Sequence, residues 1–74
     1  MTKSTRMIVQ VVADPAQPTR RISLKPGSDV GDLLRKMGLL REEFIVMARN
    51  RVVTEFEPLK DRDRVRLIRV FSGG

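Results

Sequence analysis

The sequence contains no cysteine and no histidine. Without cysteine the chain has no disulfide bonds, no catalytic thiolate and no cysteine-based metal site. Without histidine it lacks the usual general base at neutral pH and the commonest metal ligand. We therefore expect that the chain is not an enzyme by itself and binds neither a metal nor a cofactor.

Aromatic residues and long apolar runs are also scarce. There is no Trp or Tyr, and only three Phe residues occur. This composition disfavours stacking on single-stranded nucleic acid bases. No apolar run is long enough to span a bilayer, and the first residues carry no apolar signal-peptide core. We expect a soluble, cytoplasmic, monomeric protein that does not bind membranes.

The charge balance is strongly positive. The formal net charge is +6, and eleven of the fifteen basic residues are arginines. Such a balance fits either an ordinary solvated surface or a surface for acidic partners, among them nucleic acid and acidic proteins. The arginines are spread along the sequence rather than clustered. Together with the scarcity of aromatics, this spread makes nucleic acid the less favoured partner.

Short alternating apolar segments predict a β-sheet. Two prolines interrupt the chain between the first two segments, which we expect to form an antiparallel hairpin. The last segment is expected to lie centrally, parallel to the first, with Val65 and Leu67 facing the core. The predicted strands are Arg6–Ala13, Thr19–Leu24, Phe44–Ala48, a short return strand from Val52, and Arg64–Phe71.

One helix is predicted between the second and third strands. Val30, Leu33, Leu34 and Met37 form a single apolar stripe at helical spacing. Ser28 is the predicted N-cap, Gly38 ends the helix, and Gly31 is expected to permit close approach to the sheet. One helix covers only one face of a sheet, so the fold class is α+β, with a mixed four- to five-stranded sheet around the helix.

The chain ends in Ser72-Gly73-Gly74 directly after the last predicted strand. Glycine lacks a side chain and accepts backbone conformations that other residues avoid, so such a tail can enter a narrow channel. The alternative is an ordinary frayed terminus. We predict a domain over residues 1–71 and a flexible tail over residues 72–74.

A docking surface is predicted beside the tail. Ile68 and Val70 alternate with the core-facing residues of the last strand and therefore lie on the open face of the sheet. Arg66 and Arg69 are expected to flank them and to suit an acidic-rimmed partner groove. Phe71 either packs back onto the sheet or anchors in the partner.

These features resemble the ubiquitin-like β-grasp fold. Within it, the chain is most similar to prokaryotic sulfur carriers: the small subunit of molybdopterin synthase, the thiamine-pathway carrier and archaeal small modifiers. In two turns where the family often has glycine, this chain has Arg51 and Arg62. The resemblance rests on residues 26–34, on 46–53 around Asn50, on 59–65 and on the end of the chain from Ile68 to Gly74.

The resemblance implies that a ubiquitin-activating-type enzyme adenylates Gly74, with ATP and Mg²⁺ supplied through that partner. Gly73 and Ser72 would thread into the partner's channel. A sulfur donor would then produce a Gly74 thiocarboxylate for a sulfur-accepting synthase in cofactor or tRNA biosynthesis. Alternatively, Gly74 would be joined to lysines of target proteins. A basic β-grasp module that binds RNA is the alternative of another class.

Overall fold

Five strands form one mixed sheet in the order β2-β1-β5-β3-β4. The computed structural model describes residues 6–13 and 18–70. β1 and β2 form the predicted antiparallel hairpin, and β5 lies between β1, to which it is parallel, and β3, to which it is antiparallel. The strands are β1 Met7–Ala13, β2 Arg20–Leu24, β3 Phe44–Ala48, β4 Arg51–Val53 and β5 Arg64–Arg69.

The core lies between one face of this sheet and the helix α1, Val30–Met37. Strand alternation sends every second side chain inward, and in β5 these are Val65 and Leu67, both fully buried as predicted. The apolar stripe of α1 meets them with Val30, Leu33 and Leu34. The other buried members of this cluster are Met7, Val9, Val11, Ile22, Leu24, Val46 and Leu59.

The prediction that Ser28 caps the helix is wrong, because Asp29 is the N-cap. The Asp29 carboxylate accepts from the Asp32 amide at 2.9 Å, and the Asp29 amide donates to the Asp32 carboxylate at 3.1 Å. Ser28 lies one residue too early for this exchange and instead donates its hydroxyl to the Lys25 carbonyl at 2.7 Å. The resulting capping box satisfies two backbone donors reciprocally.

The capping box also changes the acidity of Asp32. The amide of Asp29 donates to the Asp32 carboxylate and holds its pKa below the ordinary value. An ion pair with Arg35 acts in the same direction, and desolvation opposes both. Gly38 ends the helix in a left-handed conformation with φ 74°, as predicted.

Gly31 permits a close approach, but to a loop rather than to the sheet. Its amide donates to the carbonyl of Glu55 at 2.7 Å, in the segment between β4 and β5. A Cβ at Gly31 would lie 3.3 Å from this same oxygen. The first amides of a helix have no partner within the helix. Here the amides of Val30 and Gly31 donate to the carbonyls of Glu57 and Glu55, and these hydrogen bonds hold the loop against the helix.

Within the described ranges, three residues other than glycine adopt positive φ, all of them in tight turns. Arg49 and Asn50 form the two-residue hairpin loop between β3 and β4, and Arg51 begins β4. Arg62 has φ 71° in the turn before β5. Of the two arginines that replace family glycines, only Arg62 therefore takes a conformation that favours glycine.

The connection between α1 and β3 contains a short 3₁₀ helix, Arg41–Glu43. The sequence predicts this connection without its helical turn. β5 ends at Arg69, so that Val70 lies just beyond the strand, and Phe71, the last residue of the predicted strand, lies outside the described residues. Among the residues that the structure describes, no helix is long and apolar enough to cross a membrane.

Candidate functional site: the tail root and the open sheet face

The root of the C-terminal tail is Val70, the last residue described. Its amide donates to the carbonyl of Glu43 at 2.9 Å, which joins the end of β5 to the start of β3. Because β5 is hydrogen-bonded on both sides, the root is held by the centre of the sheet. The predicted tail residues Ser72, Gly73 and Gly74, and the predicted anchor Phe71, lie outside the described residues.

Arg69 does not flank the docking surface as the sequence predicts. It is in register with Phe44 on β3, and its guanidinium carbon lies 5.5 Å from the centre of the Phe44 ring. It also pairs with Glu43 at 3.4 Å. Strand alternation places Arg69 with Leu67 on the helix side of the sheet. Arg69 therefore lies next to the tail root but on the face opposite to the predicted docking surface.

The open face of the sheet carries the predicted apolar docking residues. Ile68 on β5 lies in register with Ile45 on β3, and both project away from the helix. Ile45 is 42% exposed and so is Val70, which follows directly after β5. These three side chains define the apolar patch, which adjoins the tail root.

Arg66 also lies on the open face, one strand step before Ile68. It is in register with Met47 on β3 and Val12 on β1. The prediction that Arg66 and Ile68 share this face is therefore confirmed, and their role in docking stays a prediction. The strand positions on this face include no Asp or Glu among the residues described.

Sequence reasoning missed Ile45. Every residue of Phe44–Ala48 is apolar, so the composition of this segment does not say which of its residues a partner could reach. The signal was present, because Val46 and Ala48 alternate with Ile45 and Met47. Only the pairing of β3 with β5 brings Ile45 beside Ile68.

Neither a cluster of metal ligands nor an open helix N-terminus occurs in the described part of the chain. No group of three or more potential ligand side chains there could hold a metal ion. The N-terminus of α1 is also occupied, since carbonyls of Glu57 and Glu55 accept from Val30 and Gly31 while Asp29 accepts from Asp32 and Leu33. These contacts use the helix donors that could otherwise bind a phosphate.

The comparison with protein families agrees with this fold and extends through the tail. The model of the ThiS family matches residues 9–74. The chain belongs to the ThiS family. This family comprises small sulfur carriers with the ubiquitin-like β-grasp fold, so the resemblance identified from the sequence is confirmed. Its members are generally substrates of activating enzymes rather than enzymes.

Solved structures similar to this ThiS-family chain share its fold. The ubiquitin of Caldiarchaeum subterraneum superposes with a TM-score of 0.71 at 18% identity, covering 95% of this chain and 100% of that one. A designed protein based on ubiquitin also has a TM-score of 0.71, at 17% identity, covering 92% and 93%. The C-terminal ubiquitin-like domain of mouse tubulin-specific chaperone e has a TM-score of 0.64 at 10% identity, covering 100% and 96%. The predicted ubiquitin-like β-grasp fold is thereby confirmed.

Proposed function

We propose that this protein carries sulfur as a thiocarboxylate on Gly74. The observation that supports the proposal most strongly is that the family match extends to residue 74 and so includes Gly73 and Gly74. The fold supports it further, because the tail root follows a central strand and is fixed to Glu43. A partner that binds the sheet thereby also positions the start of the tail.

The chemistry explains why a partner enzyme is needed. A carboxylate is a poor acyl donor because its oxygen is a poor leaving group. In the proposed reaction the Gly74 carboxylate attacks the α-phosphate of ATP, which forms an acyl adenylate and releases pyrophosphate. Hydrosulfide delivered by a sulfur donor then attacks the acyl carbon, which displaces AMP, releases a proton and leaves a thiocarboxylate on Gly74. The activating enzyme would supply the ATP site, Mg²⁺ and any general base.

Glycine at the last two positions suits this reaction. The tail must approach the α-phosphate closely, and a side chain on Gly73 or Gly74 would fill the space around the acyl carbon. Ser72 adds only a small side chain at the channel entrance. Phe71 would be the last large residue outside the channel, where an aromatic side chain can anchor an interface.

We further propose that the apolar patch is where the activating enzyme docks. Ile68, Ile45 and Val70 present adjoining apolar side chains beside the tail root. Buried apolar side chains at the centre of an interface contribute most of its affinity. Arg66 borders the patch and would meet the acidic rim of the partner's groove.

The mass of the intact protein purified from its own host tests the carrier function. A species in which sulfur replaces one oxygen, mapped to Gly74, would establish the carrier. An isopeptide between Gly74 and a lysine of another protein would instead establish a protein modifier. If cells grown under conditions that require the synthesis of sulfur-containing cofactors or thiolated tRNA yield only unmodified protein, this result would count against both the carrier and the modifier.

The docking proposal is tested by Ile68→Glu in ATP–pyrophosphate exchange with the host's activating enzyme. We expect weaker binding, seen as a higher KM for the carrier, with an unchanged circular dichroism spectrum. Leu40→Glu is the matched control, because Leu40 is an exposed apolar residue outside the open face. Equal effects of the two substitutions would reject the patch as the docking site.

A further inference from the structure

The second feature of the open face is a polar row that lies away from the tail root. Arg21 on β2, Gln10 on β1 and Arg64 on β5 are in register across three adjacent strands. We propose that this arginine row, Arg21–Gln10–Arg64, binds the phosphate backbone of double-helical RNA. The proposal adds a second partner to the chain and does not depend on the sulfur carrier function.

The fold collects arginines that are dispersed in the sequence. One hollow of about 460 Å³ and a second of about 260 Å³ are lined by residues on either side of the row. Six of the eleven arginines line these two hollows. The first contains Arg6, Arg21 and Arg62, and the second contains Arg49, Arg64 and Arg66. Strand pairing therefore brings together arginines that lie far apart in the sequence. Their wide spacing along the chain is no longer an argument against a nucleic acid partner.

Acidic side chains neutralise Arg49 in the second hollow, which pairs with Glu57 at 3.3 Å and with Asp63 at 3.1 Å, but they do not pair with the two arginines of the row itself. Within residues 6–13 and 18–70, Arg21 and Arg64 take part in no carboxylate ion pair. The one acidic residue lining the two hollows is Asp61, which accepts from the Ile8 amide at 2.8 Å and lies 3.9 Å from Arg62. Guanidinium groups without such partners are available for bidentate contacts with phosphate.

The neighbours of the row favour nucleic acid over an acidic protein. Gln10 lies within the row, and Asn50 and Ser23 lie close to it, while one apolar residue lines each hollow, Ile8 in the first and Met47 in the second. Interfaces with nucleic acid are more polar and more positively charged than those with proteins, whose centres are depleted of charge. The apolar patch of Ile45, Ile68 and Val70 is instead the part of this face that suits a protein.

The shape and composition of the face favour a duplex, and RNA in particular. The open-face strand positions that the structure describes include no aromatic residue on which an unpaired base could stack. Five strands span about 19 Å, which exceeds the roughly 12 Å major groove and roughly 6 Å minor groove of B-form DNA. The wide, shallow minor groove of A-form RNA accepts a broad surface that contacts phosphates and 2′-hydroxyls.

The row and the tail root can be used at the same time. Arg64 begins β5 and Val70 follows its end. At about 3.3 Å per residue, the row lies roughly 20 Å from the tail root. An RNA held by Arg21 and Arg64 would therefore leave the apolar patch accessible to an activating enzyme.

Fluorescence anisotropy of the full chain with a short labelled RNA duplex tests the proposal. Two phosphate contacts predict a slope of log K against log[salt] of about −1.8, or roughly 12-fold weaker binding between about 50 and 200 mM salt. Arg21→Gln and Arg64→Gln should each make the slope shallower by about 0.9. Lys36→Gln removes the same charge from the exposed helix surface and should leave the slope unchanged.

Several outcomes would overturn the assignment. Equal losses for Lys36→Gln and Arg64→Gln would show a response to net charge alone. Equal affinity for a DNA duplex would remove the preference for A-form geometry. Equal competition by polyglutamate of matched charge would indicate an acidic protein partner instead. Removal of Gly73 and Gly74 should leave RNA binding intact, so this test is independent of the carrier function.

Discussion

Replacement of Leu33 by Ala tests whether the core is assigned correctly. Leu33 is fully buried in α1, within the cluster that includes Leu67 and Val9. Removing buried methyl and methylene groups forfeits their transfer free energy and leaves a cavity, which together cost about 2–5 kcal/mol for Leu→Ala. A domain of 74 residues has a total free energy of unfolding of about 4–11 kcal/mol. The substitution should therefore remove a large part of the stability.

The assay is urea unfolding followed by far-ultraviolet circular dichroism, with thermal unfolding in parallel. For a domain of this size each kcal/mol lowers the Tm by roughly 4–8 °C, so a fall of at least about 8 °C is expected. Leu40→Ala is the matched control, since Leu40 is 61% exposed and should change stability by less than about 0.5 kcal/mol. Similar effects of both substitutions would refute the assigned helix face.

Three further predictions concern the cap, the titration of Asp32 and a strained turn. Asp29→Ala should lower the free energy of unfolding, measured in urea, by about 0.5–2 kcal/mol, and Ser28→Ala should lower it less. The reverse order would indicate that Ser28 is the N-cap. The pKa of Asp32 is lowered in the folded state, so its contribution is present above the unfolded pKa near 3.8 and disappears as the pH falls through the folded value. Asp32→Asn should therefore reduce the loss of stability on acidification below about pH 4, and an unchanged pH profile would contradict this. Arg62→Gly should raise stability by up to about 1 kcal/mol because glycine relieves the positive φ, whereas Arg62→Val should lower it.

Local rules predicted most elements of this fold. The spacing of Val30, Leu33 and Leu34 identified the helix and its buried face. A short apolar run identified β3 with the bounds that the structure has, and alternation placed Val65 and Leu67 inward. These features depend on short-range periodicity, which a sequence displays directly.

Predictions at the ends of elements were less accurate. Ser28 and Asp29 are both good caps by residue type, and the choice depends on which oxygen reaches the amide of Asp32. Gly31 signalled a close approach, but its partner, the Glu55 carbonyl, lies in a loop whose path the sequence does not specify. Arg69 was placed with Arg66, whereas alternation and the Phe44 contact put it on the helix side.

The chemical groups that this protein can offer follow from its amino-acid sequence alone. The absence of cysteine and histidine, the excess of arginine and the final Gly73–Gly74 belong to the chain whatever its shape. The tertiary structure decided which residues act together. Strand register places Ile45 beside Ile68 and aligns Arg21 with Arg64, although each pair is more than twenty residues apart. Pairing between distant strands depends on the whole core, and this is why both surfaces became visible only in the fold.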